Sequence, residues 1–270
     1  MDFKKNIEEF DLVFLDLETT GLDVLKGEAI CEIGAFKVKE RKVIDRFHTL
    51  INPKKDIPYP AYLIHKISKE EVKRAPFFEE IAKNLVDFLK NSVICAYNVE
   101  FDLGFLNEEL KRISYPTLEA PAIDILKMAK KILNLERYNL RAISSFFNLG
   151  FSGTHRALED AFLAFKVFFK LRDILKGKGI GNLEDYLSLY GLNNKVFKDH
   201  QDKKITLLKE AILKGENLLI KYFLFQKIYE ERIKPQEVFL EDENWYLLYE
   251  NLNKEKLCID LKNLLKIEII

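Results

Sequence analysis

The sequence predicts an α/β domain followed by a separate, small all-β domain, and three observations carry this. Leu12-Val13-Phe14-Leu15 is a continuous apolar run, as expected of a strand buried on both faces of a sheet. Ala29 to Val38 and Lys42 to Leu50 read as two further strands, after which helices are separated by short apolar runs. From Leu218 onward the pattern changes to short strand-like segments at close spacing.

The first strand runs into Asp16-Leu17-Glu18-Thr19-Thr20-Gly21. Strand side chains alternate between faces, so Asp16 and Glu18 point the same way, with Leu17 opposite. Two carboxylates side by side at the end of a buried strand repel each other and lose hydration; unpaired, one of them would stay protonated. A divalent cation removes that conflict, and oxygen-only ligands suit magnesium or manganese. A solvated strand end with two surface acids would carry the same letters, so this segment alone leaves both open. Gly21 permits a tight turn out of the sheet. Gly27-Glu28 separates the first and second strands, and Glu40-Arg41 turns the second into the third.

Val93-Ile94-Cys95-Ala96 reads as a buried strand followed by Asn98-Val99-Glu100-Phe101-Asp102. Asn98 is a good N-cap for a helix beginning near Phe101, and Asp102 falls in its first turn, where the macrodipole favours an anion. A third segment, His155-Arg156-Ala157-Leu158-Glu159-Asp160, opens a helix expected from Ala157 to Leu171. Asp160 borders its apolar face, and the alanines at 157, 161 and 164 would let the helix approach a sheet closely. His155 follows Phe151-Ser152-Gly153-Thr154, a loop expected to open and close. Five residues before Asp160, it is well placed to take a proton from an attacking water.

Together these three segments resemble the DEDDh family of 3′–5′ exonucleases, which includes the proofreading subunit of bacterial replicative polymerases. The resemblance covers roughly residues 8–172. Lesser features agree: Ile57-Pro58 followed by Ile64-His65-Lys66-Ile67, with Lys66 where a Gly is common, Asp124 before Ile125 in place of a Thr, and Tyr97 in place of a frequent His. The resemblance implies a ribonuclease H-like fold with a mixed sheet whose first three strands are antiparallel. It implies that Asp16, Glu18, Asp102 and Asp160 hold two divalent cations, Mg2+ or Mn2+, with His155 as general base. Thr19, Thr20 and Leu22 would hold the 3′-terminal nucleotide, Leu22 as an apolar wedge. Asn98 either steadies the scissile region or caps its helix, and the cap is favoured; His65 either approaches the terminal nucleotide or is structural.

Lys176-Gly177-Lys178-Gly179-Ile180-Gly181 marks a domain boundary. The expected division is a nuclease domain at 1–175, a linker with a short helix at 176–202, and a β domain at 203–270. Within the linker, Leu183 to Leu192 is amphipathic and Lys195 to Lys204 is a polar passage. A helix at Ile205 to Leu213 precedes strands at Leu218–Leu224, Arg232–Leu240, Trp245–Tyr249, Leu257–Leu261 and Leu264–Ile269, which suggest a small barrel. Trp245-Tyr246-Leu247, with Ile220-Lys221-Tyr222, Arg232-Ile233-Lys234-Pro235 and Ile259-Asp260, resembles a WYL domain, a small SH3/Sm-like barrel found in bacterial regulators and nucleic-acid enzymes. Cys258 and Leu261 stand where that family typically carries arginines, so ligand sensing is not carried over. Lys221, Arg232, Lys234, Lys254 and Lys256 would supply a weaker basic surface, or simply discourage edge aggregation.

Lys plus Arg and Asp plus Glu are equal at 43 each, which removes a global basic field able to hold long nucleic acid tightly. That suits an enzyme gripping a few terminal nucleotides, or one tethered to a DNA-processing or polymerase complex. Cys31, Cys95 and Cys258 read as buried thiols in a reducing cytoplasm. No apolar run reaches membrane length, and the first ten residues are too polar for a signal peptide. The leading reading is a 3′–5′ exonuclease acting on nucleic acid with a free 3′ end, with DNA, single-stranded or frayed, favoured over RNA. An exoribonuclease is the second. A nucleic-acid-binding regulator using its β domain is the third, and the intact set of acids argues against it.

Overall fold

The computed structural model describes residues 1–150, 155–192 and 195–270. The loop expected at 151–154 therefore lies outside the described residues. Two compact units emerge, one of residues 6–173 and one of residues 1–5 with 174–270.

In the first unit β1 (Leu12–Thr19), β2 (Ile30–Lys39) and β3 (Lys42–Leu50) precede α1 (Tyr59–His65), α2 (Lys69–Lys73) and α3 (Phe78–Leu89). Next, β4 (Val93–Ala96) leads into α4 (Val99–Arg112), and β5 (Ala122–Asp124) into α5 (Ile125–Ile132). The last two helices are α6 (Leu140–Phe146) and α7 (Ala157–Gly177). The sheet order is β3-β2-β1-β4-β5. Antiparallel pairing joins the first three strands in sequence, and β4 and β5 add in parallel. This is the ribonuclease H-like arrangement that the resemblance implied, with β1 in the centre. The β2–β3 hairpin turns on Glu40 and Arg41, both in the left-handed region at φ 48° and 65°. Two such residues match the mirror-image turn that strand twist prefers, here without glycine.

Val13, Phe14 and Leu15 are fully buried, as a central strand requires. Phe14 meets the rings of Phe165 and Phe168 of α7 at 5.3 Å each; Phe168 and Phe169 are core, whereas Phe162 is exposed. Ala157, Ala161 and Ala164 are buried, and the expected close approach to the sheet is present. It is closest at Gly34 of β2. A Cβ there would fall 2.2 Å from the Leu158 nitrogen and 2.3 Å from the Ala157 carbonyl carbon, so only glycine admits the start of α7.

The second unit holds α8 (Leu183–Tyr190), α9 (Lys195–Lys214) and five strands: β6 (Leu218–Leu224), β7 (Lys227–Glu241), β8 (Asn244–Asn251), β9 (Lys256–Asp260) and β10 (Leu264–Ile269). Three expectations change here. The polar passage at 195–204 is helical and continuous with the helix expected from 205; it hid because only Phe197 and Lys204 of that stretch are buried. The expected SH3/Sm-like barrel is an open antiparallel sheet, ordered β10-β6-β7-β8-β9. Closure needs the first and last strands of that order to pair, and β9 pairs with β8 while β10 pairs with β6. Cys258 is exposed rather than buried, because strand alternation turns its neighbour Ile259 inward instead. The core of the unit gathers Leu208 and Ala211 of α9 with Leu218, Ile220, Leu247, Ile259 and Leu264. Among the described residues, no helix is long and apolar enough to cross a membrane.

Candidate active site

β1 carries Asp16 and Glu18 out of the core on one face, flanking buried Leu17. Asp160, in the first turn of α7, reaches the same place. Asp16, Glu18 and Asp160 each offer a carboxylate oxygen, and the three atoms lie within 4.8 Å of one another. Asp102 comes from the first turn of α4, is almost fully buried, and acts electrostatically on Asp16, but stands outside that tightest group. His155 places Nδ1 3.7 Å from Asp160 Oδ2 and is itself partly exposed.

Crowded acids without a counter-charge hold on to protons. Burial first, then Asp102, Glu18 and Asp160, pushes Asp16 well above the usual carboxylate range. Burial, Asp160 and Glu32 push Glu18 up to about 8, against the pull of Arg156. Asp160 rises to about 6, chiefly by burial, with His155 opposing. Burial also raises Asp102, although the backbone N–H groups of Asp102 and Leu17 favour its charged form. A set of oxygen donors held so closely fits a hard divalent cation, whose charge would replace those protons.

Beside these acids opens a cleft of about 370 Å³ lined by Glu18, Thr19, Thr20, Leu22, Pro58, Ile64, His65 and Phe101 among others. Thr20 is fixed from both sides: its hydroxyl donates to the Glu28 carboxylate and accepts from the Ala29 N–H at 3.0 Å. Thr19 donates to the Gly21 carbonyl at 2.6 Å. Leu22 is 85% exposed at the rim, an apolar side chain with no core to fill. His65 is buried; its Nδ1 accepts from the Ile67 N–H at 3.0 Å, and burial lowers its basicity.

Asn98 departs from expectation. It occupies the N-cap position of α4, but its backbone is left-handed at φ 73° and its side chain makes no capping hydrogen bond. The helix starts at Val99 rather than near Phe101. Glu32 and His48 went unread at the sequence level. Glu32 is fully buried among apolar residues of β2, and an acid inside a strand buried on both faces was the signal available.

The family described as Exonuclease matches residues 13–168. A DNA polymerase III subunit epsilon of Rickettsia conorii is 42% identical over 166 residues, which cover 59% of this chain and 72% of that protein. A PolC-type DNA polymerase III of Thermotoga petrophila is 35% identical over 189 residues, 70% of this chain but only 14% of that far longer polymerase. In structure, the nuclease domain of 3′hExo, a DEDDh family member bound to rAMP, aligns with a TM-score of 0.54 at 16% identity. That alignment covers 62% of this chain and 94% of the other, and it speaks to the fold.

Proposed function

The chain belongs to the Exonuclease family, and from that premise we propose that it removes nucleotides one at a time from the 3′ end of single-stranded or frayed DNA. The observation that carries this reading is the convergence of Asp16, Glu18 and Asp160, with His155 3.7 Å from Asp160 and Glu18 lining a cleft. Asp16, Glu18, Asp102 and Asp160 would hold two divalent cations, Mg2+ or Mn2+. Bound there, such ions polarise the phosphodiester, make water more acidic and stabilise the leaving oxygen.

The remaining work falls to the chain itself. His155 is the general base; with Nδ1 turned toward Asp160, it takes the proton of the attacking water on Nε2. The backbone of Thr19 and Thr20, held rigid by the Glu28 contact, binds the terminal nucleotide. Leu22 wedges against the last base, and His65 shapes the wall of the cleft from within the protein. Asn98, freed from capping, borders the scissile region.

Similarity to proteins named as polymerase III subunits favours DNA over RNA and association with a polymerase or other DNA-processing complex. A cytoplasmic setting, in which buried Cys31 and Cys95 stay reduced, goes with this reading. Residues 1–175 would be the catalytic domain. Residues 203–270, a WYL-like domain by its Trp245-Tyr246-Leu247 segment, would help hold longer strands. An exoribonuclease is the second reading, since sugar choice rests on contacts to the 2′-hydroxyl.

The test is a timed digestion of 5′-labelled single-stranded DNA and matching RNA with Mg2+ or Mn2+, beside an Asp102→Ala control. A ladder shortening from the 3′ end, absent in the control, is expected, faster on DNA. Intact label on both strands under both metals would sink the reading and favour a nucleic-acid-binding protein.

A further inference from the structure

Glu32 sits in β2 between Ile30, Cys31, Ile33 and Ala35, all buried, and is itself fully buried. Its carboxylate is nonetheless saturated. Arg156 Nε donates to its two oxygens at 3.2 and 3.0 Å, and Arg156 Nη2 donates at 2.8 Å. The Ala157 N–H donates at 3.0 Å, and His48 Nε2 lies at 2.8 Å. These partners are not scattered. Arg156 follows His155 directly, and Ala157 is the first residue of α7, which carries Asp160. Glu32 is also the cross-strand register partner of Glu18.

We propose that the Glu32–Arg156 pair is a positioning element of the active site, holding His155 at its working distance from the acids of β1. This rests on the reading of His155 as the base. A guanidinium gripped through two nitrogens by one carboxylate is fixed in both place and rotation, which a single contact cannot achieve. The extra bond from Ala157 extends that grip to the helix start. Stability alone does not account for the pair: a buried ion pair is often no more stabilising than apolar side chains filling the same space. What it supplies is register. Arg156 also cancels the charge of Glu32, which would otherwise add a fifth acid to the crowd and already raises Glu18.

Glu32→Gln and Arg156→Lys keep size and polarity while removing the charge or the fork. Each is expected to lower kcat about 10–100-fold, the range of partners that orient a catalytic group. KM for a labelled single-stranded oligonucleotide should stay within about threefold in the same experiment. In a His155→Ala background the same changes should slow turnover less than about threefold, because their effect passes through His155. Arg156→Lys, which retains the charge, should recover part of the loss seen in Arg156→Gln. Where a single variant unfolds, Glu32→Gln with Arg156→Gln leaves no buried charge unpaired and is assayed in its place. Near-native kcat in folded variants overturns the proposal, as does an undiminished loss on top of His155→Ala. Native turnover in His155→Ala itself would sink the base assignment first, and this inference with it.

Discussion

The two units each bury a cluster of ionisable groups, and the clusters are built on opposite plans. At the end of β1, Asp16, Glu18 and Asp160 crowd together with Asp102 nearby, all of one sign. In the second unit, Asp185 of α8 faces the influence of Lys204 of α9 and Lys221 of β6. Lys204 is buried, donating to Ser188 Oγ at 2.7 Å and to the Leu264 carbonyl at 2.6 Å. The second cluster draws groups of both signs from within the chain, although burial still raises Asp185 to about 6. The first reaches both signs only with a cation from outside, and that asymmetry separates a site from a structural network.

Substitutions should expose the difference. Asp16→Ala is expected to reduce nucleotide release by more than about 10⁴-fold, beyond what loss of a single general base accounts for, while the apo chain stays folded or gains stability. A marked loss of apo stability would mean that the acids are structural. Next comes His155→Ala, which should lower turnover about 10²–10⁴-fold with the half-saturating metal concentration unchanged. A parallel loss of metal affinity would make His155 a positioning group instead.

Smaller effects should appear in pH-dependent unfolding. Asp16, Glu18 and Asp160 carry folded-state values raised above ordinary carboxylates, with Glu18 at about 8 and Asp160 at about 6. The folded apo protein therefore holds protons that the unfolded chain releases. The stability tied to these groups is full below about pH 4 and is lost as pH rises toward about 8. Mn2+ should restore it, more at pH 8 than at pH 6, as melting curves with and without metal would report. Lys204 runs the other way. Its value is lowered to about 8, mainly by burial, so its contribution grows from about pH 8 to about pH 10.5. Lys204→Met should abolish that slope and destabilise by about 1–3 kcal/mol through unpaired buried acceptors, with single-nucleotide excision unchanged. Loss of excision would mean that the second cluster also serves catalysis.

Much of the first unit was legible because its chemistry is written locally. Asp16 and Glu18 follow an apolar run, and their common face follows from strand alternation. Asp160 could be placed by helical spacing from the buried alanines. What escaped depends on contacts distant in sequence. Arg156 and Ala157, which grip Glu32, lie more than 120 residues away, and nothing near it announces an arginine. The left-handed backbone of Asn98 is set by how α4 leaves β4, so a good capping residue there does no capping. In the second unit, four of the five strands were found within about two residues of their bounds, while β7 starts at Lys227, five residues before the expected Arg232. Whether a sheet closes depends on how its outer strands meet. No strand carries that information alone. The buried end of Lys204 was likewise masked by the polar helix around it.

Gly34 has a consequence for how such a site can change over generations. Wherever a side chain would strike the backbone of α7, the helix must retreat, and Asp160 retreats with it from Asp16 and Glu18. Surface loops can lengthen, shorten or change charge without touching that spacing. Position 34 has no such freedom: any of the other nineteen amino acids acts as a shim between strand and helix. The missing methyl group is thus a fixed gauge, and a lineage that filled it would have to move the start of α7, and Asp160 with it, off the sheet.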